Sequence, residues 1–326
     1  MININSIKEA AVRLSDVAII TPLLFSSKLD ERVGGKVFLK PECLQRTGSF
    51  KIRGAYNLMS QLSDQQASNG VVAWSSGNHA QGVAAAGKIL NIKTTIVMPK
   101  DAPSEKIDNT RKLGGKIIFY DRYNEDREQI AKEIAREQGS ELVPSYDHID
   151  IIAGQGTVGL EIMRQHDVLG IVPDQILICC GGGGLSAGSS VAIKDHSPNT
   201  DIYLVEPADF DDTLRSFECG ERLRNSNKAR SICDALQTES PGKITFEINR
   251  KLATDVLTVT DEETKEAMRF AYSYLKLVVE PGGAVALAAV LSGKIDLKNK
   301  ITTVVLSGGN VDTNLYTSII DKSLSK

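Results

Sequence analysis

The sequence lacks the residue spacings that mark zinc proteins and disulfide-bonded proteins. It has five cysteines but no Cys-x-x-Cys pair, and its four histidines include no His-Glu-x-x-His spacing. The odd cysteine count and the adjacent Cys179 and Cys180, which point to opposite faces of a strand, also argue against a disulfide framework. This cysteine usage predicts a protein of the reducing cytoplasm.

A basic surface and a membrane span are also missing. The formal charge is -3 with a pI near 5.9, so neither nucleic acid nor an anionic membrane is expected as a partner. The longest apolar stretches are interrupted by Glu280, Pro281 and glycines, and the first residues do not form a basic segment followed by an apolar one. We therefore expect neither export nor membrane insertion, and a small-molecule substrate.

What is present is a regular alternation of short apolar runs and helical segments. With 326 residues and 41% apolar content, the chain can bury the cores of about two domains. Between residues 70 and 147 this alternation predicts a small parallel-sheet domain inserted into a larger one, which is formed by residues 1–69 and 148–326. The predicted strands of the small domain are 71–74, 94–98, 116–120 and 142–143, and its helices are 79–90, 104–113 and 124–138.

The larger domain shows the same alternation, and both are therefore expected to be doubly wound α/β folds. Its predicted elements are a hairpin-like segment at 33–40, helices at 51–62, 156–165, 185–193, 261–275 and 283–291, and strands at 175–180, 201–205 and 301–306.

The first candidate for chemistry is Lys51, in the segment TGSFKIRGA at residues 47–55. The lysine opens a helix between Phe50 and Ile52, among residues that are small or apolar. In such surroundings the neutral amine is favoured over the ammonium, and it can act as nucleophile or base. A cofactor with a carbonyl group would suit this amine.

Four consecutive glycines, Gly181 to Gly184, follow a predicted strand and precede a helix, which predicts an anion-binding turn. The same stretch satisfies the dinucleotide pattern Gly182-x-Gly184-x-x-Ala187, with Glu206 at the end of the next strand, so a nicotinamide enzyme is an alternative. A second literal match at residues 154–159 lacks a preceding strand and is interpreted as packing at a helix start. A phosphate-binding P-loop motif does not occur.

Two polar segments follow other predicted strands. Residues 75–82 (SSGNHAQG) combine hydroxyls, an amide and helix N-terminal N–H groups, which suits a carboxylate or phenolic oxygen, although Ser and Asn are also ordinary helix caps. Ser307 begins a second such segment (SGGNVD) after the strand at 301–306. Ligands of open α/β sheets bind at the carboxyl ends of strands, where both segments lie.

Together, the motifs at residues 49–54, 75–82, 181–185 and 307–309 resemble those of the fold-type II pyridoxal-phosphate enzymes, which have the tryptophan synthase β-like fold. Within them the chain resembles the threonine/serine dehydratases and serine racemase, over nearly its whole length. The resemblance favours pyridoxal 5'-phosphate over a nicotinamide cofactor.

The resemblance also implies residue roles. Lys51 would bind the cofactor covalently and act as the base, Phe50 would lie against the cofactor ring, Asn78 would hold its phenolic oxygen and Ser307 would face its pyridine nitrogen. The phosphate would be held by Gly181, Gly182, Gly183, Gly184 and Leu185. The substrate carboxylate would be held by Ser75, Ser76, Gly77 and His79.

The implied reaction is the β-elimination of water from L-threonine or L-serine, which yields a 2-oxo acid and ammonia. Serine racemisation, with Ser76 as a second acid–base group on the opposite face, and 3-hydroxyaspartate dehydration are alternatives. A non-catalytic amino-acid sensor is a third, although such a protein would be expected to have lost Lys51 or the glycines.

Similar enzymes also hold a divalent cation and assemble into homodimers or homotetramers. Glu206, the Phe210 carbonyl and Asp212 would be the ligands here, and oxygen donors of this kind suit Mg²⁺, Ca²⁺ or Mn²⁺. A solvated acidic loop is the alternative for this segment.

Overall fold

A computed structural model describes residues 2–75, 77–102, 104–226 and 229–321, apart from the side chain of Glu105. Within these residues the strands form two sheets. The strands are β1 Leu24–Phe25, β2 Lys36–Pro41, β3 Val71–Trp74, β4 Thr94–Pro99, β5 Lys116–Tyr120, β6 Glu141–Leu142, β7 Gln175–Cys179, β8 Asp201–Pro207, β9 Asp255–Val259 and β10 Ile301–Leu306.

The helices cover both sheets. They are α1 Ile4–Arg13, α2 Ser27–Val33, α3 Lys51–Met59, α4 Asp64–Asn69, α5 Asn78–Leu90, α6 Ser104–Lys112, α7 Arg127–Gln138, α8 Ile149–Val168, α9 Gly184–His196, α10 Asp212–Cys219, α11 Lys243–Leu252, α12 Asp261–Phe270, α13 Pro281–Leu291 and α14 Thr313–Ile320. Short 3₁₀ turns span Glu42–Leu44, Arg46–Gly48 and Asp234–Leu236, and a π-helical turn spans Ala271–Leu275.

The larger sheet has the strand order β1-β2-β10-β7-β8-β9, and only the β1–β2 pair is antiparallel. The smaller sheet has the order β5-β4-β3-β6 and is parallel throughout. All its strands come from residues 71–142, inside the segment predicted as an inserted domain. The mixed α/β fold class is thus confirmed, whereas the domain boundaries stay a prediction.

Helix α13 lies at the centre of the larger body. Every residue from Pro281 to Val290 is buried, and the helix packs against β7, β8, β9 and β10. A helix that is apolar on all sides belongs in a core, because it has no polar face to offer to water. The strand Ile301–Leu306 beside it matches the predicted residues 301–306.

Several predicted elements differ from the structure. The predicted hairpin at 33–40 is wrong: Gly34, at φ 69°, ends helix α2, and β2 follows it. The helix predicted at 156–165 begins at Ile149, where His148 caps it. The helix predicted at 124–138 begins at Arg127, because the Asp126 side chain accepts from the N–H groups of Glu128 and Gln129. The α-helix predicted at 261–275 ends at Phe270.

The glycines of the second dinucleotide match lie inside α8, so the predicted placement at a helix start is wrong. A Cβ on Gly154 would collide with the Arg53 carbonyl of α3, and a Cβ on Gly156 would come within 2.7 Å of the Gly188 carbonyl of α9. Glycine is needed at these positions because α8 packs backbone to backbone between two helices. One of those helices is the helix of Lys51.

Candidate active site

The site is assembled where the strands of the larger sheet end. Strands β7 and β10 are adjacent and parallel, so the glycine turn after β7 and Ser307 after β10 lie at the same edge. The chain before α3 is attached there as well, because the Phe50 N–H donates to the Ser307 carbonyl at 3.2 Å and Ser49 forms a bridge with Gly308. These contacts place the first residue of α3, Lys51, beside the strand ends.

The Lys51 side chain is half-buried, and its amine contacts other parts of the chain. Its Nζ donates to the main-chain carbonyl of Ser145 at 2.9 Å and lies 5.1 Å from the centre of the Phe50 ring. Burial lowers the pKa of Lys51 to about 8, although the acidic groups of Cys179 and Glu280 oppose this shift. At pH 7 the unprotonated fraction of the amine is therefore about a tenth, far larger than for an exposed lysine, and this form can attack a carbonyl carbon or accept a proton.

The glycine turn has no room for side chains. Gly183 adopts φ 88° and caps the 13-residue helix α9, whose first turn directs N–H groups and the positive end of the helix dipole outward. A Cβ on Gly182 would collide with the Tyr146 ring, and a Cβ on Gly184 would collide with Gln155. This arrangement is a cradle for an anion such as a phosphate.

A segment missed in the sequence joins the lysine to this cradle. The Ser145 carbonyl accepts from Lys51 Nζ and also from Gln155 Nε2, at 3.2 Å. The next residue, Tyr146, lies against Gly182, and Asp147 caps helix α11 by accepting from the N–H groups of three residues. The amine and the cradle are therefore held by consecutive residues of one segment.

Helix α11, which was also missed, fixes the glycine turn from its other side. The Thr245 hydroxyl donates to the Gly182 carbonyl at 2.6 Å, and Asn249 Nδ2 donates to the Gly183 carbonyl at 3.3 Å. Both side chains are buried. Thr245 and Asn249 share the buried face of α11 with Phe246. Two polar residues on a buried helix face were the signal in the sequence that could have indicated this role.

Ser307 is buried and is hydrogen-bonded to the Cys179 thiol at the end of β7. Burial raises the pKa of Cys179 to about 11, so the thiol stays protonated at neutral pH. The group beside Ser307 is thus neutral. A serine in this position offers a hydroxyl to a ring nitrogen without the charge that a carboxylate would bring.

The Asn78 amide is fixed by two partners. Its Nδ2 donates to Glu280 Oε1 at 2.5 Å, and its Oδ1 accepts from Asn310 Nδ2 at 2.7 Å. Burial raises the pKa of Glu280 to about 8, and the charge of Asp234 adds to this effect. Glu280 is therefore mainly a neutral acid at pH 7, and the amide of Asn78 has one fixed orientation.

The segment predicted to hold the substrate carboxylate is described only in part. The Gly77 N–H donates to Ser75 Oγ at 3.2 Å, whereas Ser76 lies outside the described residues. His79 Nε2 lies 2.8 Å from the Val143 carbonyl, so this nitrogen carries the proton. Burial lowers the pKa of His79 to about 3, and the N–H of the neutral ring is already used. Its role in carboxylate binding stays a prediction.

Two of the predicted metal ligands are buried carboxylates. Glu206 accepts from the N–H groups of Thr213 and Leu214 at 3.1 and 3.0 Å, at the start of α10. Asp212 Oδ1 accepts from Asn225, and Asp212 Oδ2 has no hydrogen-bond partner among the described residues. No group of three or more His, Cys, Asp or Glu side chains in the described part of the chain could hold a metal ion.

A half-buried lysine beside an anion cradle, at the carboxyl ends of parallel strands, defines a cofactor site for a phosphorylated aldehyde. In agreement, the family described as "Pyridoxal-phosphate dependent enzyme" matches residues 14–308. The chain belongs to this family, and its predicted resemblance to the threonine/serine dehydratases and serine racemase is confirmed.

Relatives with an assigned activity align with nearly all of the chain. An L-threo-3-hydroxyaspartate ammonia-lyase of a Pseudomonas species is 44% identical over 312 residues, which are 96% of each chain. A serine racemase of Schizosaccharomyces pombe is 40% identical and covers 98% of this chain and 97% of its own. The structure of maize serine racemase has a TM-score of 0.92 at 37% identity, covering 99% and 98%.

The residues present fit pyridoxal phosphate. A Cβ on Gly182 would collide with Tyr146 and a Cβ on Gly184 with Gln155, so the turn accepts only glycine at these positions and its N–H groups carry no blocking side chain. The glycine turn would hold the phosphate, Lys51 would bind the aldehyde carbon, and Ser307 would face the ring nitrogen. The family and this fit favour pyridoxal phosphate over the nicotinamide alternative.

Within the described residues, no helix combines the length and the apolar character that crossing a bilayer requires.

Proposed function

We propose that the protein is a pyridoxal-phosphate-dependent ammonia-lyase that removes water from β-hydroxy amino acids. L-threonine and L-serine are the substrates expected first from the sequence, with 2-oxobutyrate or pyruvate and ammonia as products. The observation that carries the proposal is the half-buried Lys51 amine, with its pKa lowered to about 8, next to the glycine cradle. A non-catalytic sensor would not need an amine in this state.

When bound, pyridoxal phosphate supplies an electron sink for the charge that develops at the substrate Cα. Lys51 then removes the Cα proton, because its lowered pKa makes the neutral amine far more available near neutral pH than that of an exposed lysine. The C–H electron pair forms the Cα–Cβ double bond, and the Cβ–O bond breaks as the leaving oxygen takes up one proton, which balances the proton now held by Lys51, so that water departs. Cβ of this unsaturated product then takes up a proton, and addition of water at Cα releases ammonia, the 2-oxo acid and that proton.

The surroundings of Lys51 assist this proton transfer. The Ser145 carbonyl orients the amine, and the acidic groups of Cys179 and Glu280 are mainly protonated, so they hold little negative charge that would stabilise the ammonium. Ser307 is neutral as well. This favours a reaction in which the leaving group departs promptly, because a serine stabilises charge on the ring less than a carboxylate would.

Serine racemisation is the second candidate, and the serine racemases among the relatives favour it. It requires an acid–base group on each face of the substrate, for which Lys51 and Ser76 are proposed. Elimination requires one face only. We therefore rank dehydration first.

The test is to load the purified protein with pyridoxal phosphate and to follow 2-oxo acid and ammonia from L-threonine and L-serine. D-serine is quantified in the same samples by chiral chromatography. We expect 2-oxo acid to form faster than D-serine. Faster formation of D-serine than pyruvate reverses the ranking, and the absence of both products from all β-hydroxy amino acids refutes the proposal.

We further propose a divalent cation, Mg²⁺, Ca²⁺ or Mn²⁺, bound by Glu206, Asp212 and the Phe210 carbonyl. Asp212 Oδ2 has no partner in the part of the chain that the structure describes, and both carboxylates are buried; this supports the proposal, since a cation would compensate two charges held together away from water. The N–H groups of Thr213 and Leu214, which already donate to Glu206, compete with a cation for the oxygens of this carboxylate. The proposal also includes a cytoplasmic homodimer or homotetramer, which light scattering on a sizing column tests.

A further inference from the structure

Beside the site, an ion pair connects an element of the smaller sheet's surroundings to an element of the larger sheet's surroundings. Lys106, on α6, pairs its Nζ with a carboxylate oxygen of Asp234, in the turn Asp234–Leu236. Helix α6 packs against β5 of the smaller sheet, whereas the turn packs against α13 under the larger sheet. The pair therefore connects elements that pack against the two different sheets.

The Lys106 amine is directed toward the segment predicted to bind the substrate. A Cβ on Gly77 would lie 3.9 Å from Lys106 Nζ. Gly77 precedes Asn78, whose amide contacts Glu280, and the charges of Lys106 and Asp234 both act on Glu280. The ammonium is thus within reach of a ligand held by the Gly77 segment.

The two partners of this ion pair differ in their exposure to water. The Lys106 side chain is 12% exposed, whereas the Asp234 side chain is 52% exposed. Asp234 can turn into solvent at little cost, because water solvates its charge. The nearly buried Lys106 ammonium would then have lost this counter-ion. The loss is costly unless another anion takes the place of Asp234.

We propose that this anion is a second carboxylate of the substrate, so that Lys106 selects β-hydroxy amino acids with a carboxylate on Cβ. The two carboxyl carbons of such a molecule, 3-hydroxyaspartate, are separated by two carbon atoms. One carboxylate can thus bind at the Gly77 segment while the other pairs with Lys106. This inference rests on the proposed function and narrows its substrate class.

Threonine and serine gain nothing from this exchange. Their side chains end in a methyl group or in the hydroxyl itself, so the ion pair between Lys106 and Asp234 stays intact when they bind. A substrate with a second carboxylate gains a charged hydrogen bond to Lys106, and threonine and serine lack the group that would form it. We expect kcat/KM for L-threo-3-hydroxyaspartate to exceed the values for L-threonine and L-serine.

The kinetic test replaces Lys106 with methionine, whose unbranched side chain keeps most of the length and removes the charge. Lys112→Met is the matched control, because Lys112 is an exposed lysine on the same helix. We expect Lys106→Met to lower kcat/KM for L-threo-3-hydroxyaspartate by about 10- to 100-fold, a loss typical of a charged hydrogen bond. The values for L-threonine should change less than about threefold, and Lys112→Met should change neither.

A similar loss on all three substrates would overturn the proposal, since Lys106 would then bind the α-carboxylate common to them or serve only the structure. The proposed function would survive that result. If the wild-type protein releases ammonia from none of them, the proposed function fails instead, and the binding test described next decides on Lys106.

The binding test measures the thermal unfolding of the cofactor-loaded protein with succinate, a dicarboxylate, and with butyrate, a monocarboxylate. Succinate should raise Tm more than butyrate in the wild type and in Lys112→Met, and this difference should vanish in Lys106→Met. In Asp234→Asn the competing carboxylate is gone while the side chain stays similar in size. Succinate should then bind more tightly than in the wild type. Equal shifts from succinate in wild type and Lys106→Met would refute the assignment.

Discussion

The Lys51 amine donates to the main-chain carbonyl of Ser145, 94 positions further along the chain, at 2.9 Å. A main-chain carbonyl is an acceptor that carries no charge, so it orients the amine without stabilising the ammonium as a carboxylate would. This explains how the lysine can be both fixed in direction and lowered in pKa to about 8. The contact lies next to Tyr146, which packs on the glycine turn.

The first prediction concerns Lys51→Ala. The variant should lose the visible absorption of the covalently bound cofactor, and kcat should fall by about 10²–10⁴-fold, as expected for a lost acid–base group. The Tm of the cofactor-free protein should not fall, because a half-buried and partly desolvated amine is removed. Absorption spectra, kcat and thermal unfolding check these points. An unchanged visible band would show that another group binds the cofactor.

The second prediction distinguishes a loss of phosphate binding from a general loss of stability caused by backbone strain. Gly183 (φ 88°) and Gly170 (φ 66°) both adopt the left-handed conformation, so alanine at either position should cost about 1 kcal/mol of stability. Only Gly183 lies in the cradle, where a Cβ would also come within 2.8 Å of Asn249. Gly183→Ala should therefore weaken pyridoxal-phosphate binding at least tenfold in equilibrium dialysis. Gly170→Ala should leave it unchanged; equal weakening in both would assign the effect to general destabilisation.

The parts of the site that the sequence revealed are those with local signatures. The strand Ile301–Leu306, the four glycines after β7 and the lysine at the start of α3 each depend on residues adjacent in the chain. Apolar runs predict strands because a parallel sheet is covered on both faces. Four glycines in a strand-to-helix turn have a direct backbone reason.

The parts that were missed depend on pairings between distant residues. Glu280 meets Asn78 across 202 positions, and Cys179 meets Ser307 through the pairing of β7 with β10. No local pattern encodes such contacts. Helix α8 was predicted too short for another reason: Gly154 and Gly156 have low intrinsic helix propensity, and close packing compensates for it.

The third prediction concerns Glu280 and pH. Its pKa is about 8 in the folded protein and near 4.5 when exposed, so between these values the folded state holds a proton that the unfolded chain releases. The stability from this proton is complete below pH 4.5 and is lost as the pH rises through 8, up to about 5 kcal/mol. Glu280→Gln keeps the oxygen that accepts from Asn78 and does not titrate. Urea unfolding should therefore depend less on pH in the variant between pH 5 and 8.

The fourth prediction concerns the buried pair of Glu206 and Asp212. Burial raises the pKa of both groups, that of Asp212 to about 7, and each disfavours the ionisation of the other. Chelation of divalent cations should lower Tm or activity of the wild-type protein, and Mg²⁺, Ca²⁺ or Mn²⁺ should restore it, since the ion would neutralise these carboxylates. The exposed Asp209 provides the control variant, Asp209→Asn, which should respond to chelation as the wild type does.

Asp212→Asn separates a cation site from a merely buried carboxylate. The amide removes one negative charge, so the chelated variant should be at least as stable as the chelated wild type. It should also lose the response to added cation, because one charged ligand is gone. A variant that still gains stability from Mg²⁺, Ca²⁺ or Mn²⁺ as the wild type does would place the cation elsewhere. A wild-type protein indifferent to chelator would leave Glu206 and Asp212 as a structural pair, held by the N–H groups at the start of α10 and by Asn225.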